Sequence, residues 1–394
     1  MLSAKNAEVV EATLPVVGAA IGDITPRFYD RLFAAHPELL RDVFNRGNQA
    51  NGTQRQALAG SIAAFAGTLI AHPDQRPDAM LARIAHKHVS IGISSDQYKV
   101  VREHLFAAIV DVLGEAVTPE VATAWDEVYW LMANALIAIE DRLRAEAAGP
   151  DGDPADLWRP YTVVARHQET EDVTSYLVRP ADGGPVPTGR PGQYVSVRTE
   201  LPDGAHQIRQ YSLSGTAAGA LRFSVKREAG GEVSGHLHDH LRAGGTVELA
   251  PPMGDIALAD GDGPVLLVSA GIGNTPMTAM LAHLADVGST RTVVSVHGDR
   301  DQLAHAFRAD LARLTAELPD ATAHVFYERP LGEWPADRTG LVDLTTVDVP
   351  AGATAYLCGP LPFLRAVRGQ LLAVGVPAAD IHYEVFGPDL WLGA

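Results

Sequence analysis

Three hydrophobic patterns follow one another along the 394 residues and predict a multidomain fold: an all-α domain, an antiparallel β-barrel, and an α/β domain on a parallel sheet. A helical period governs residues 1 to about 147, a period of two governs Tyr161 to about Pro252, and strands alternate with helices from Gly263 onward. The boundaries read as 1–147, a linker at 148–156, then 157–258 and 259–394. At roughly 150 residues per domain, one core could not serve such a length.

The first region has amphipathic runs with few interior glycines. Its prolines, at Thr25-Pro26, His36-Pro37, His72-Pro73 and Thr118-Pro119, are expected at helix breaks. "AAGPDGDPADLW" is rich in Gly, Pro and Asp and reads as a linker. Six short runs follow, "YTVVARHQ", "VTSYLVRP", "QYVSVRT", "RQYSLSG", "LRFSVKRE" and "GTVELAP", at the spacing of a small barrel. The strands "PVLLVSA", "TVVSVHG", "TAHVFYE", "ATAYLCG" and "IHYEVFG", with helical stretches such as "HAFRADLARLTAEL" between the first of them, predict the parallel sheet.

A net charge of −17, spread along the chain, argues against nucleic acid or an anionic membrane as the main partner. A single cysteine, Cys358, excludes an internal disulfide and any cysteine-based zinc or iron–sulfur site within one chain. The early acids of "MLSAKNAEVVEATLP" do not suit a secretory signal, and no run of 18 apolar residues occurs. The expectation is a cytoplasmic monomer without a membrane anchor.

"RIAHKHVSIG" places His86 and His88 two apart in a helical stretch. At about 100° per residue they point to different faces. His88 falls in line with Leu81, Ile84 and Ala85, whereas His86 lies nearer Ala79, Ala82 and Arg83. If one of them binds a metal it is His88, although a core imidazole bonded to a backbone carbonyl explains the same pattern.

Four more polar residues interrupt apolar helix faces. Tyr29 aligns with Thr25, Leu32 and Phe33; Gln54 with Leu58, Ser61 and Phe65; Tyr98 with Val101, Leu105 and Ile109; Glu140 with Trp125, Tyr129, Met132 and Leu136. A buried tyrosine is ordinary core material. Glu140 is harder to place, because an unpaired buried carboxylate costs several kcal/mol while one charge-assisted hydrogen bond returns only about 1.5–3 kcal/mol. It needs more than one donor, or some water.

The other regions carry anion-binding signals. In "PVLLVSAGIGNTPM" a buried strand runs into Gly271, Gly273, Asn274, Thr275 and Pro276, a strand-to-helix turn that lets a phosphate approach the backbone. In "RQYSL" Arg209 offers a phosphate fork, and strand alternation puts Arg209 and Tyr211 on one face with Ser212 on the other. "KREAGGEVSGHLH" adds a glycine turn with Ser234 as a helix N-cap.

"GQY", "RQYSL", "GGEVSGHLH", "AGIGNTPM", "CGP" and "FGP", in this order over roughly residues 155 to 390, resemble the ferredoxin-reductase superfamily. That resemblance assigns Tyr194, Arg209, Gln210, Tyr211, Ser212, Leu213, Gly231, Val233 and Ser234 to FAD. It assigns Gly271, Gly273, Asn274, Thr275 and Pro276 to the nicotinamide nucleotide, Cys358, Gly359 and Pro360 to the nicotinamide's surroundings, and Phe386 and Gly387 to the other flavin face. Asp299 suits a ribose diol and Arg300 a 2′-phosphate, so NADH and NADPH both stay open.

"FYDRLFAAHPELLRDVF" and "RIAHKHVSIGI", joined to Tyr29, Gln54, Tyr98 and Glu140, resemble a globin, and the whole chain is similar to the bacterial flavohemoglobins. The resemblance implies heme b with His88 as iron ligand and Tyr98 and Glu140 as its partners. It places Phe44 against the heme, with Tyr29, Gln54 and Leu58 lining the distal pocket. Lys87 faces a heme propionate or is simply solvated. A carboxylate on the non-ligating imidazole N–H strengthens donation to iron. The activity implied is nitric oxide dioxygenation: nitric oxide and O₂ become nitrate, with electrons passing from NAD(P)H to FAD to heme. Two other readings use the same parts: reduction of alkyl or lipid hydroperoxides, with a lipid in the distal pocket, and an oxygen-binding or redox-sensing globin kept ferrous by its reductase.

Overall fold

The computed structural model describes residues 2–50, 53–74, 77–149, 152–217 and 219–387, without the side chains of residues 48, 50, 53–60, 79, 216 and 217. The helical region comprises α1 (Ala4–Ala35), α2 (Pro37–Asp42), α3 (Arg46–Ala50), α4 (Thr53–Ala71), α5 (Asp78–Ile91), α6 (Gln97–Leu113) and α7 (Pro119–Ala148). Pro37 and Pro119 open their helices at the first turn, where the missing N–H is no loss. Thr118 caps α7 by accepting from the Val121 N–H at 3.3 Å.

Thr25-Pro26 departs from expectation: α1 continues through Pro26, as it does through Pro15. An interior proline costs about 3 kcal/mol. Ile24, Phe28, Tyr29 and Leu32 around it are at most 2% exposed, and each large buried side chain contributes roughly 1.5–3 kcal/mol. Burial of that face outweighs the lost hydrogen bond. The Thr25 hydroxyl meanwhile donates to the Ile21 carbonyl at 2.8 Å.

The barrel consists of β1 (Arg159–Gln168), β2 (Val173–Pro180), β3 (Tyr194–Glu200), β4 (His206–Ala217), β5 (Ala220–Lys226), α8 (Glu232–His240) and β6 (Thr246–Leu249), closed in the order β1-β2-β5-β4-β3-β6. Closure removes the open edges of a sheet. Its core joins alternate strand residues such as Tyr176, Val195 and Phe223 to Val233 and Leu237 of α8.

The third region holds β7 (Val265–Ala270), α9 (Asn274–Asp286), β8 (Val293–Asp299), α10 (Arg308–Glu317), β9 (Ala321–Tyr327), β10 (Thr354–Cys358), α11 (Leu361–Ala373) and β11 (Ile381–Glu384). The sheet order is β11-β10-β7-β8-β9, with every pair parallel. The chain moves one way from β7 through β8 and β9, then returns to its other side for β10 and β11. The crevice beyond the ends of β7 and β10 is therefore the topological switch point, where open parallel sheets bind ligands.

The chain divides into two compact units. One contains the helical region together with the segment Arg198–Arg209; the other contains Trp158–Val197 and Gln210–Phe386. Among the described residues no helix is long and apolar enough to cross a membrane.

Candidate functional site

His88 lies in the last turn of α5, which Gly92 ends in a left-handed conformation (φ 79°), its N–H returning to the carbonyls of His88 and Val89. His88 Nδ1 is 2.8 Å from Glu140 Oε1 and 2.9 Å from the Tyr98 hydroxyl. That hydroxyl itself donates to Glu140 Oε1 at 2.5 Å. Since the carboxylate can only accept, the proton between His88 and Glu140 sits on Nδ1, and the imidazole lone pair is on Nε2.

Glu140 is fully buried, and its second oxygen accepts from Arg144 at 3.5 Å. Arg144 also donates to the Ile93 carbonyl, just beyond α5. The carboxylate thus has three donors: an imidazole, a phenol and a guanidinium. Burial, and after it the Glu140 charge, pushes the Tyr98 pKa up, so Tyr98 remains a donor. The Tyr129 hydroxyl donates to the Tyr98 backbone carbonyl at 2.6 Å and holds that residue from below.

This arrangement fits a heme. The His88 side chain is 29% exposed, and among the described residues its hydrogen bonds are all at Nδ1, which leaves Nε2 for a metal. Gln49 on α3 is 6% exposed, and neither amide atom has a partner among the described residues, as in a pocket that receives a group with polar edges. Phe44 packs edge-on against Tyr29 (centroids 5.8 Å apart, 82°) and Phe33 (5.3 Å, 74°). Tyr29 is 2% exposed. His86 and Lys87 are half-buried. The side chains of Gln54 and Leu58 lie outside the described residues.

Strand β4 carries the candidate flavin segment. Tyr211 is half-buried and stacks on Phe223 (5.8 Å, 28°), while Gln210 donates to the Ser196 hydroxyl at 2.9 Å. Arg209 Nη1 donates to Gln207 Oε1 at 3.2 Å and to the Ile208 carbonyl at 2.8 Å. Ser212 is 4% exposed. Leu213 and Val233 belong to the barrel core, so any contact they make with a cofactor runs through backbone. Tyr194 is 8% exposed, and its ring lies where a Cβ on Gly254 would come within 3.3 Å. The fit to a flavin rests on a half-buried ring beside a guanidinium on one strand. Ser234 is not the N-cap of α8. That position belongs to Gly231, one residue earlier than Glu232, and the Ser234 hydroxyl instead accepts from the Glu228 N–H at 3.1 Å.

At the switch point, Gly271–Gly273 form a tight turn into α9, with Gly271 at φ 54°. A Cβ on Gly273 would stand 2.3 Å from the Cys358 carbonyl oxygen, and one on Gly359 would meet the Phe363 ring at 2.7 Å. Two glycine-bearing strand ends therefore pack backbone to backbone, the close approach that a nucleotide's phosphates require. Pro360 leads into α11 and Gly387 has φ 134°. Thr275 and Pro276 are buried; the Thr275 hydroxyl is committed to the Ile272 carbonyl at 2.9 Å, and Asn274 donates to the Ala306 carbonyl at 2.6 Å. Burial pushes the Cys358 thiol pKa up, so it is neutral rather than a nucleophile. Phe386 is 47% exposed.

Asp299 does not offer an open carboxylate. Its side chain is 7% exposed, with one oxygen 3.3 Å from His297 Nε2 and the other accepting from the Arg300 N–H at 2.8 Å. Arg300 stands 3.7 Å from Asp172. Sequence reasoning also missed Arg144. Its spacing of four from Glu140 was the available signal, but a cation near a helix end reads as solvated.

Comparison with known proteins matches each region to a family model: Globin at residues 26–136, Oxidoreductase FAD-binding domain at 186–258, and Oxidoreductase NAD-binding domain at 267–369. The flavohemoprotein of Rhizobium meliloti is 41% identical over 99% of this chain and 100% of its own length. That of Bordetella pertussis is 43% identical over 98% and 99%. Among solved structures, the Malassezia yamatoensis flavohemoglobin, determined with bound FAD and heme, superposes with TM-score 0.91 at 37% identity, covering 98% of this chain and 100% of that one. The FAD/NAD-binding domain of a Vibrio cholerae nitric oxide dioxygenase is 38% identical, with TM-score 0.54, over 58% of this chain and 99% of its own. Similarity of this depth runs unbroken from the helices through the barrel to the parallel sheet, and the chain belongs to the flavohemoprotein family.

Proposed function

We propose that the chain is an NAD(P)H-dependent nitric oxide dioxygenase, in which His88 holds heme iron, the barrel holds FAD and the switch point holds the nicotinamide nucleotide. The observation that carries this reading is the His88–Glu140–Tyr98 cluster, on a chain whose relatives are flavohemoproteins. FAD held by Arg209, Tyr211 and Ser212 would supply the change from two-electron hydride to one-electron chemistry, and heme held by His88 would supply an iron for oxygen and nitric oxide.

The chain's own residues set the conditions for that chemistry. Glu140 and Tyr98 hold the proton of His88 on Nδ1 and fix the ring, so Nε2 is presented as a strong donor. Arg144 adds a third donor to Glu140, which is fully buried. Tyr29 brings a phenol into an aromatic setting with Phe33 and Phe44, which suits hydrogen bonding to a diatomic ligand while excluding water. Gln54 and Leu58 are assigned to the same pocket by resemblance, nitric oxide being its second occupant. Gly271, Gly273 and Gly359 keep side chains out of the nucleotide crevice, while Arg209, Tyr211 and Ser212 are assigned to the flavin. A lone, buried Cys358 suits a reducing compartment such as the cytoplasm.

The test is consumption of nitric oxide by the purified holoenzyme under air. Nitrate should form in equal amount to nitric oxide consumed, at a rate dependent on NAD(P)H. Normal flavin reduction without that consumption would refute the proposal.

A further inference from the structure

The stretch "GHLHDH" puts histidines at alternate positions of α8: His236, His238 and His240. On a helix the first and third, four apart, share a face, and the second does not. The three rings are placed accordingly. His238 is buried with both ring nitrogens engaged, Nε2 at 2.9 Å from the Val225 carbonyl and Nδ1 at 3.4 Å from the Thr174 hydroxyl. His236 is half-buried and His240 exposed, with their ring centroids 4.7 Å apart and their planes inclined at 47°.

The polar groups around this pair are taken. Asp239 accepts at both oxygens from Arg227, at 2.7 and 2.8 Å. Arg242 donates to the carbonyls of His238, Asp239 and Leu241. On the opposite face Val233 and Leu237 are locked into the barrel core, so the helix cannot roll and the two rings stay on its outer side. The surface beside them is open: a Cβ on Gly235 would meet nothing within 4 Å.

We propose that His236 and His240 chelate a borderline transition-metal ion, Zn²⁺, Ni²⁺ or Cu²⁺, on the outer face of α8. Two imidazoles one helical turn apart have the spacing at which a helix holds zinc. Metal–nitrogen bonds of about 2.0–2.1 Å put the two nitrogens roughly 3 Å apart, which rings with centroids at 4.7 Å can present. Among the described residues no group of three or more His, Cys, Asp and Glu is placed to hold a metal. The site is therefore a two-nitrogen chelate completed by water, exchangeable rather than structural. Imidazole suits these ions, whereas Mg²⁺ and Ca²⁺ require oxygen ligands. Neither the iron assigned to His88 nor nitric oxide as substrate enters the argument.

The test uses the untagged, oxidised holoenzyme at pH 7.5, dialysed to equilibrium against Ni²⁺ or Zn²⁺, with bound metal counted beside heme iron. The expected result is one equivalent per chain. His236→Gln and His240→Gln should each weaken binding tenfold or more, and His283→Gln, at an exposed histidine of α9, should leave it within twofold. Affinity should rise from Mn²⁺ through Ni²⁺ to Cu²⁺, and Mg²⁺ should not compete. Because the ion joins two turns of a folded helix, saturating Zn²⁺ should also raise the urea midpoint for flavin release in wild type and in neither variant. No metal beyond iron, or equal binding by wild type and both variants, overturns the proposal, the second by placing the ion at other histidines. Weakening in only one of the two variants overturns the chelate, since both rings must share the ion. His240→Gln, at an exposed position, keeps the test decisive should the half-buried His236 tolerate no change.

Discussion

His88 Nδ1 and Glu140 Oε1 lie 2.8 Å apart, joining the last turn of α5 to the C-terminal third of the long helix α7. This contact sets the tautomer of the ring, and through it the donor strength of Nε2. Glu140→Gln keeps the size of the side chain but removes the negative charge. Heme should still bind, with its ferric/ferrous potential raised and nitric oxide consumption reduced about 10- to 100-fold. Potentiometry beside a nitric oxide electrode checks both. An unaltered potential would mean that the carboxylate does not act through His88.

Arg144 gives a separate prediction because its effect passes through Glu140. Arg144→Leu removes one of three donors from a fully buried carboxylate and leaves the Ile93 carbonyl without that partner. An unsatisfied buried polar group costs about 1–3 kcal/mol, more if charged. The helical region should lose stability of that order, seen as a lower urea midpoint for loss of the Soret band. If the loss is due to Glu140, it should shrink in the Glu140→Gln background. Equal losses in both backgrounds would place the Arg144 effect at Ile93 alone.

Much of this was legible in the sequence. A change in hydrophobic period marks each change of architecture, since a strand shows alternate faces and a helix shows every third or fourth residue. His88 was separable from His86 by angle alone. What periodicity could not supply was the outcome of competition between partners. Pro26 lies within a helix because the burial around Phe28 and Tyr29 outweighs its local cost. Asp299 turns inward because His297 and a backbone N–H compete for it with any ribose. The buried Gln207 amide donates to the carbonyls of Leu40, Arg41 and Phe44 across more than 160 positions, and no local signal marks these contacts.

The reductase portion carries its own pH dependence. His305 is 4% exposed, its ring 4.1 Å from that of His297, and its Nδ1 is 2.8 Å from the Tyr327 hydroxyl. Burial first, then the charges of His297 and Arg308, push its pKa down to about 2. In the unfolded chain the same group takes up a proton as pH falls through about 6.5. Between these values the unfolded state binds the extra proton, so stability is lost as pH falls below about 6.5 and His305 contributes nothing above it. The slope is at most about 1.4 kcal/mol per pH unit. His238, also shifted down by burial, acts in the same direction. His305→Asn retains an acceptor for Tyr327 and should flatten the urea midpoint between pH 6.5 and 5; an unchanged slope would exclude His305 as its source.

Gly273 and Gly271 share one turn but fail for different reasons. Gly273 has an ordinary φ of −64°, so its own backbone would accept alanine. The obstacle is the Cys358 carbonyl oxygen, 2.3 Å from the position of the new Cβ. Backbone on either side cannot rotate away as a side chain would, and overpacking of this kind costs about 1–3 kcal/mol. Gly271, at φ 54°, has open space around its Cβ position and would suffer only local strain of about 1–2 kcal/mol. The two costs are similar; the atoms that move are not. Gly273→Ala must part the ends of β7 and β10, whereas Gly271→Ala leaves them together. Cys358, the one cysteine in the chain and fully buried, reports the difference. Its thiol should react with a disulfide reagent much faster in Gly273→Ala than in wild type or Gly271→Ala. Flavin reduction by NADH should slow about 10- to 100-fold in Gly273→Ala, the rate equivalent of that strain, with the Soret spectrum unchanged. Wild-type thiol reactivity together with wild-type hydride transfer would show that the turn does not bear on β10, and would remove the packing argument for a nucleotide site there.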